Sequence, residues 1–214
     1  MTLDEGIKNL GRPFEIPSCS RNDLPEFFKR LGFKKGVEIG VYKGDYSQHF
    51  AKAGLEHYAV DPWKIYSDYK NTRGQQRLDF QFGHTHRLLD KYPNCTIVRK
   101  TSMEALDDFQ DGSLDYVYID GNHHLRYVVE DIVEWSKKVK PGGIVSGHDW
   151  IWTPVTASLN VCHVVYAIKA YINSYGIEHF WILGRKEYVD GETRDRWRSW
   201  MWFNNVKPAS PDVI

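Results

Sequence analysis

Asp120, His148 and Asp149 are the residues whose types and spacing most directly suggest chemistry. Asp120 closes the apolar run "LDYVYID", and His148-Asp149 closes a second run, "GIVSGHDW", 28 and 29 residues later. Two carboxylates and an imidazole converging at one sheet edge form a donor set for a divalent cation. Oxygen ligands suit Mg²⁺, and an added imidazole also admits Mn²⁺ or Fe²⁺. Such a cation would lower the pKa of a hydroxyl substrate and fix its oxygen for attack. "GNHH" adds His123 and His124 beside Asp120. Imidazole titrates near neutral pH, so one of them could be the general base, and His123 is the stronger candidate for a catalytic or ligand role. The catalytic candidates are therefore Asp120, His123 and His148, and the metal candidates Asp120, His148 and Asp149. Against this stands a plainer expectation. Asn122 caps a helix with both histidines in its first turn, and Asp120 orients substrate or cofactor without metal. His163, inside a later helix, reads as structural.

A second set of residues suggests a ligand cradle. "VEIGVYKGDYS", residues 37–47, carries Gly40 and Gly44 where a strand turns into a helix. Glycines there let the backbone turn tightly and a ligand approach the helix start. The spacing is E-x-G-x-x-x-G rather than the G-x-G-x-x-G of dinucleotide enzymes. Asp61 ends the next strand, 21 residues after Gly40, where an acid can accept hydrogen bonds from a ribose hydroxyl and disfavours a 2′-phosphate. Glu38 sits inside an otherwise buried strand. A buried carboxylate costs several kcal/mol unless paired, so it is expected to meet backbone donors or a cation.

Placing these residues requires a regular framework, and the hydrophobic pattern supplies one. Asn22 or Asp23 can cap a short helix over "DLPEFFKRLG", with Pro25 in its first turn and Gly32 at its end. "KGVEIGV", "HYAVDPW", "CTIVRK", "LDYVYID" and "GIVSGHDW" read as strands. "DYSQHFAKAGL", "QQRLDFQFGHTHRLLDKYPN", "SMEALDDF", "LRYVVEDIVEWSKKVKPGG" and "VCHVVYAIKAYINSYG" read as helices, the fourth closed by Pro141-Gly142-Gly143. Residues 64–74 read as a loop. "HFWILG" and "WRSWMWF", around a turn containing Gly191, read as an antiparallel hairpin. Alternating strands and helices imply a doubly wound, mostly parallel α/β sheet of seven strands, with an antiparallel strand from the C-terminal hairpin. Such sheets bind ligands beyond the carboxyl ends of their strands, at the switch in strand order.

Composition narrows the function classes. Lys plus Arg and Asp plus Glu are 28 each in 214 residues, which argues against a phosphate-backbone binder needing a basic footprint. No apolar run approaches 18 residues, so no membrane span is expected. The opening "MTLDEGIKNLGRP" lacks the order of a secretory signal. Cys19, Cys95 and Cys162 are far apart and read as reduced thiols in a cytoplasmic protein. Six of the eight tryptophans follow residue 149, suited to a core, a pocket wall or a contact between copies in a homo-oligomer. The loop "DWIWTPVTASLN" could wall a substrate, with Trp150 and Trp152 stacking on a ring or sugar face.

Taken in succession, Glu38-x-Gly40-x-x-x-Gly44, Asp61, "TSMEAL", "LDYVYID" and "VKPGGIVSGHDW" resemble the motifs of class I S-adenosylmethionine-dependent methyltransferases. The resemblance runs from about Val37 to Trp150. "IDGNH" with "GHD" is similar to the methyltransferase-24 group and its relatives among small-molecule O-methyltransferases. The resemblance implies a single domain over 1–214: an N-terminal helical cap segment (1–32), a cofactor-binding core (33–150), and a substrate loop, helix and hairpin (151–214). It implies that Gly40, Gly44 and Ser47 hold the amino-acid end of S-adenosylmethionine, Asp61 the ribose and Ser102 the adenine side, with Asp120 at the reacting edge and Glu38 ordering the loop. It also implies a small-molecule acceptor and metal-binding acids at the two strand ends; His148 departs from the catechol-type pattern, which has an acid or amide there.

Other classes fit less well. A nicotinamide dehydrogenase is disfavoured by the glycine spacing and by the lack of a suitably placed Tyr-x-x-x-Lys pair. Nucleic-acid methylation is disfavoured by zero net charge and the lack of an Asn-Pro-Pro-Tyr-like run. A hydroxylase-like or non-catalytic relative on the same fold remains an alternative, as does a metal-independent methyltransferase.

Overall fold

The computed structural model describes residues 1–65, 74–152, 161–184, 190, 192–193, 195 and 197–205. Among these, the strands are β1 (Phe14–Ile16), β2 (Lys35–Ile39), β3 (Glu56–Val60), β4 (Cys95–Val98), β5 (Leu114–Ile119), β6 (Val139–Gly147), β7 (Trp181–Leu183) and β8 (Ser199–Phe203). The helices are α1 (Leu3–Gly6), α2 (Leu24–Arg30), α3 (Ser47–Lys52), α4 (Gln75–Leu89), α5 (Ser102–Ala105), α6 (Leu125–Lys138) and α7 (Val164–Ser174). They build one eight-stranded sheet in the order β1-β7-β8-β6-β5-β2-β3-β4. β8 runs antiparallel to both neighbours, β6 and β7, while the remaining pairs are parallel. The doubly wound expectation is met with one strand more than the seven inferred. The addition is β1, three residues between Pro13 and Pro17, which pairs with β7.

The order reverses between β2 and β5, and the strand ends there are level. Ile39 pairs in register with Val60 on one side and Ile119 on the other, and Ile119 with Gly147. The ladder continues one step beyond: the Gly40 amide donates to the Val60 carbonyl at 2.9 Å, Asp120 to Ile39 at 2.7 Å, and His148 to Ile119 at 3.0 Å. Gly40, Asp61, Asp120 and His148 therefore emerge side by side at the switch point, where open α/β sheets bind ligands.

The two-residue period of the strands divides the interior. Val37, Ile39, Val117 and Ile119 join a core with Val128, Ile132 and Trp135 of α6 and Val165 and Ile168 of α7. Tyr116 and Tyr118 face the other way, into a core with Phe27 and Phe28 of α2 and Phe50 of α3. Glu38 alternates with Val37 and Ile39, so it points into this second, aromatic layer.

Some local readings change. Asp23 holds the N-cap position of α2 but makes no side-chain cap bond there; Ser20 caps the preceding single turn Arg21–Asp23, and Asp23 accepts a return bond from the Ser20 amide at 2.7 Å. Pro141-Gly142-Gly143 lies within β6, where the register against β5 shifts between Leu114 and Tyr116, so α6 passes directly into a bulged strand. The α6 start is capped from elsewhere: His163 Nδ1 accepts from the Leu125 amide at 3.0 Å, and the two histidines precede the helix. Trp150 is buried against Phe180 rather than offered to a substrate, whereas Trp152 is exposed and meets the edge of Tyr166. Most of the expected loop after Trp152, residues 66–73 of the expected 64–74 loop, and Gly191 lie outside the described residues. Among the described residues, no helix is long and apolar enough to cross a membrane.

Candidate active site

The glycine loop is shaped by packing before any ligand is considered. Gly40 has φ +89°, and a Cβ there would stand 2.1 Å from the Asp120 carbonyl oxygen. No other residue fits where the ends of β2 and β5 press together. Gly44 has φ +80°, and a Cβ there would press on Thr85 and Leu89 of α4. Asp61 then staples the loop. Its Oδ2 accepts from the Val41 and Tyr42 amides at 3.0 and 3.1 Å, and its Oδ1 from the Trp63 amide at 2.8 Å. Burial raises the Asp61 pKa against the pull of these three donors. Each carboxylate oxygen has two lone-pair directions, so Oδ1 can still accept a hydroxyl proton.

Glu38 meets neither backbone donors nor a hydrogen-bonded cation. The Ser47 hydroxyl donates to its Oε2, and His57 Nε2 lies 3.6 Å from the same oxygen. Burial raises Glu38 to about 8, against the Ser47 bond that lowers it, and burial drives His57 down to about 3. Both shifts favour the neutral forms, so we read the pair as an uncharged carboxyl beside a neutral imidazole, whose Nδ1 is 3.0 Å from the Tyr116 hydroxyl. Ser47 is fully buried and engaged beneath the loop. Ser102 is engaged as well, with Asp131 of α6, whose carboxyl burial pushes up to about 7.

At the β5 and β6 ends, Asp120, His123 and Asp149 bring one donor atom each within 4.8 Å of one another. His123 Nε2 is 2.7 Å from Asp149 Oδ2 and 3.6 Å from Asp120 Oδ1. His148 lies outside this trio but keeps one ring nitrogen on the same carboxylates. Its Nδ1 is 3.2 Å from Asp149 and 3.9 Å from Asp120, while its Nε2 meets Asp195 at 2.8 Å. His123 thus joins the two acids as a donor, and His148 contacts Asp149 from the other side. Burial would lower His148, but Asp120, Asp149 and Asp195 outweigh it and raise it to about 9. His123 is likewise raised, its acidic neighbours overcoming burial. Asp149 is held far below the usual carboxylate range, burial being outweighed by the two imidazoles. Its φ of +60° is rare for a residue with a side chain, and such conformations concentrate at functional sites.

Two residues absent from the sequence reading complete this edge. Arg21 Nη1 is 3.2 Å from Asp120 Oδ2, with the guanidinium over the Tyr46 ring at 5.1 Å. Burial works against the Arg21 charge, but the Asp120 and Asp195 carboxylates hold it protonated. Asp195 ties the β7–β8 connection to both His148 and the Arg21 amide. Neither belongs to a local motif.

Comparison with known proteins decides the family. A family profile described as a methyltransferase domain, of the methyltransferase-24 type, matches residues 37–150, more than half of the chain. The chain belongs to this methyltransferase family. A curated relative, the uncharacterized protein y4gI of Sinorhizobium fredii, is 29% identical over 119 residues, covering 53% of the chain. The match spans only 13% of that relative's length. Among solved structures, the chain resembles the Bacillus cereus O-methyltransferase in complex with SAH at TM-score 0.57 and 13% identity, covering 85% of this chain and 79% of that one. The Streptomyces achromogenes O-methyltransferase TomG, in complex with SAM, gives 0.56 at 14% identity, with 86% and 79% covered. A Geobacter metallireducens precorrin-6y C5,15-methyltransferase gives 0.53 at 18% identity, with 85% and 87% covered. At these identities the likeness shows the methyltransferase fold, and enzymes with different acceptors share it.

Proposed function

We propose that this chain transfers the methyl group of S-adenosylmethionine to a hydroxyl of a small molecule, with a divalent cation beside the reacting oxygen. The observation that carries the reading is the convergence of Asp120, His123 and Asp149 at the switch point, level with Gly40 and Asp61 on neighbouring strands. Two carboxylates and one imidazole, close enough to share one ion, suit Mg²⁺, Mn²⁺ or Fe²⁺.

The chain's own residues would then divide the work. The loop at Gly40–Gly44, held in shape by Asp61 and underpinned by Glu38 and Ser47, receives the amino-acid end of the cofactor. Asp61 Oδ1 accepts from the ribose, and the α5 start at Ser102 borders the adenine. Asp120, His123 and Asp149 hold the cation, and His148, braced by Asp195, keeps Asp149 in place. When bound, the cation would lower the acceptor's pKa and fix its oxygen; the sulfonium of the cofactor supplies an already activated methyl group. Positioning provides much of the remaining acceleration. Zero net charge supports a small acceptor over nucleic acid.

One observation favours a second, metal-free reading: His123 and His148 already balance Asp149. There, Asp120 would orient the substrate, and His123 would take the hydroxyl proton only in its neutral form, which its acidic neighbours disfavour. Assaying S-adenosylhomocysteine release with a panel of sugar, polyketide and phenolic alcohols tests the overall reading. Activity on hydroxyl acceptors that disappears on chelation and in Asp149→Ala supports the cation. Activity surviving both removes it, and methylation confined to nitrogen or carbon acceptors or to bulk RNA refutes the hydroxyl acceptor.

A further inference from the structure

We infer that Arg21 binds the carboxylate at the amino-acid end of the cofactor, with Asp120 facing the adjacent amino group. This inference rests on the S-adenosylmethionine reading above. Arg21 lies outside the segment that matches the family profile, residues 37–150, so it belongs to this chain's N-terminal segment rather than to the shared core.

Its backbone is fixed from two sides. The Tyr46 hydroxyl, at the far end of the glycine loop, donates to the Arg21 carbonyl at 2.7 Å, and the Arg21 amide donates to Asp195 Oδ2 at 3.2 Å. The next residue, Asn22, makes a reciprocal pair with Thr193, both bonds at 2.8 Å. The side chain is thereby held between Tyr46 and Asp120. This is where a ligand lying along the loop toward the β5 end would present its head group.

Charge makes the same assignment. Asp120, Asp149 and Asp195 crowd this edge, and the two imidazoles are committed to Asp149 and Asp195. An entering carboxylate therefore needs a cation of its own, and Arg21 is the one that lies against Tyr46 of the glycine loop. A guanidinium carries five N–H donors in a planar fork matched to carboxylates, so it can serve Asp120 and a second carboxylate together. An Arg–Asp pair also offers a zwitterionic amino acid one charge for each of its own. Asp120 can divide its oxygens: Oδ2 faces Arg21, and Oδ1 faces His123. Lys43 is the loop's other cation, but its ammonium lies over the Tyr42 ring, as a point charge on a flexible stem.

The test is calorimetric titration of the intact chain with S-adenosylhomocysteine and with its decarboxylated analogue, which keeps the amine. The wild type is expected to bind S-adenosylhomocysteine at least about tenfold more tightly than the analogue, the scale of a charge-assisted hydrogen bond. Arg21→Gln should weaken S-adenosylhomocysteine by about tenfold or more while leaving the analogue within about twofold. Arg21→Lys should fall between, and Lys43→Gln should not discriminate between the two probes. Equal wild-type affinity for both probes overturns the inference and needs no variant to fold. Equal weakening of both probes by Arg21→Gln also overturns it, reducing Arg21 to a brace for Asp120. If the wild type binds neither probe, the cofactor reading itself fails and this inference falls with it.

Discussion

Replacing Glu38 by Gln should stabilise the protein, and increasingly so as pH rises. Glu38 is fully enclosed in the aromatic layer, and its pKa is raised from 4.5 to about 8 by burial. A carboxyl whose folded pKa lies above its unfolded value opposes folding once the unfolded chain ionises. The sign follows from proton binding: between about pH 4.5 and 8 the folded state holds a proton that the unfolded state has lost, so stability falls as pH rises through that window and levels off above it. At 1.36 kcal/mol per unit, the cost grows by about 3 kcal/mol between pH 5 and pH 8. Glutamine keeps the shape and can still bond Ser47, but has nothing to ionise. Urea denaturation of both proteins at pH 5 and pH 8 gives the difference directly, and comparing them cancels groups that titrate in both. The gap should widen by about 3 kcal/mol toward pH 8. If Glu38 were instead the ionised half of a pair with His57, Glu38→Gln would strand an imidazolium and destabilise the protein at neutral pH. A gap that does not widen, or a destabilised variant at pH 7, refutes the neutral reading of this pair.

Gly40→Ala should abolish folding or cost several kcal/mol, because its Cβ would overlap the Asp120 carbonyl; Gly54→Ala, also at positive φ but with no atom within 4 Å, should cost only about 1–2 kcal/mol in thermal melts. Asp61→Ala should weaken S-adenosylhomocysteine binding by about 1–3 kcal/mol. It should also speed amide exchange at Val41 and Tyr42, and unchanged affinity would remove Asp61 from the ribose. In the metal-free protein, His148 raised to about 9 contributes stability that is fully present below about pH 6.5 and lost as pH climbs toward 9. His148→Gln should therefore flatten that part of the stability–pH curve. Titration with Mn²⁺ should show binding that Asp149→Asn and His123→Ala each weaken more than His148→Gln does, and equal losses in all three would return His148 to the ligand set.

The sequence made the framework legible wherever a residue's environment is set by its neighbours in the chain. Alternating apolar residues located β2, β3, β5 and β6, and parallel pairing then fixed which residues end level. That is why Gly40, Asp61, Asp120 and His148 could be placed on one edge in advance. β1 escaped because its three residues carry no period of their own and become a strand only by pairing with β7 far along the chain. The contact of His123 with Asp149 escaped for a different reason. Spacing locates a Cα, but side-chain direction depends on Asp149's left-handed backbone and on Asp195, which engages the far nitrogen of His148. Arg21 and Asp195 reach the site from segments that carry no motif, so charge placement in three dimensions was the only signal for them. Glu38 is legible as an anomaly because it is a carboxylate within an apolar strand. Its solution, a neutral carboxyl on a serine hydroxyl, needed the knowledge that Ser47 and His57 close over it.

Whether this edge is an S-adenosylmethionine site is decided by calorimetric titration of the wild-type chain with S-adenosylhomocysteine at neutral pH. Saturable one-to-one binding in the micromolar range is expected. The absence of binding at high protein concentration, confirmed by an unchanged melting temperature in excess ligand, would contradict that assignment.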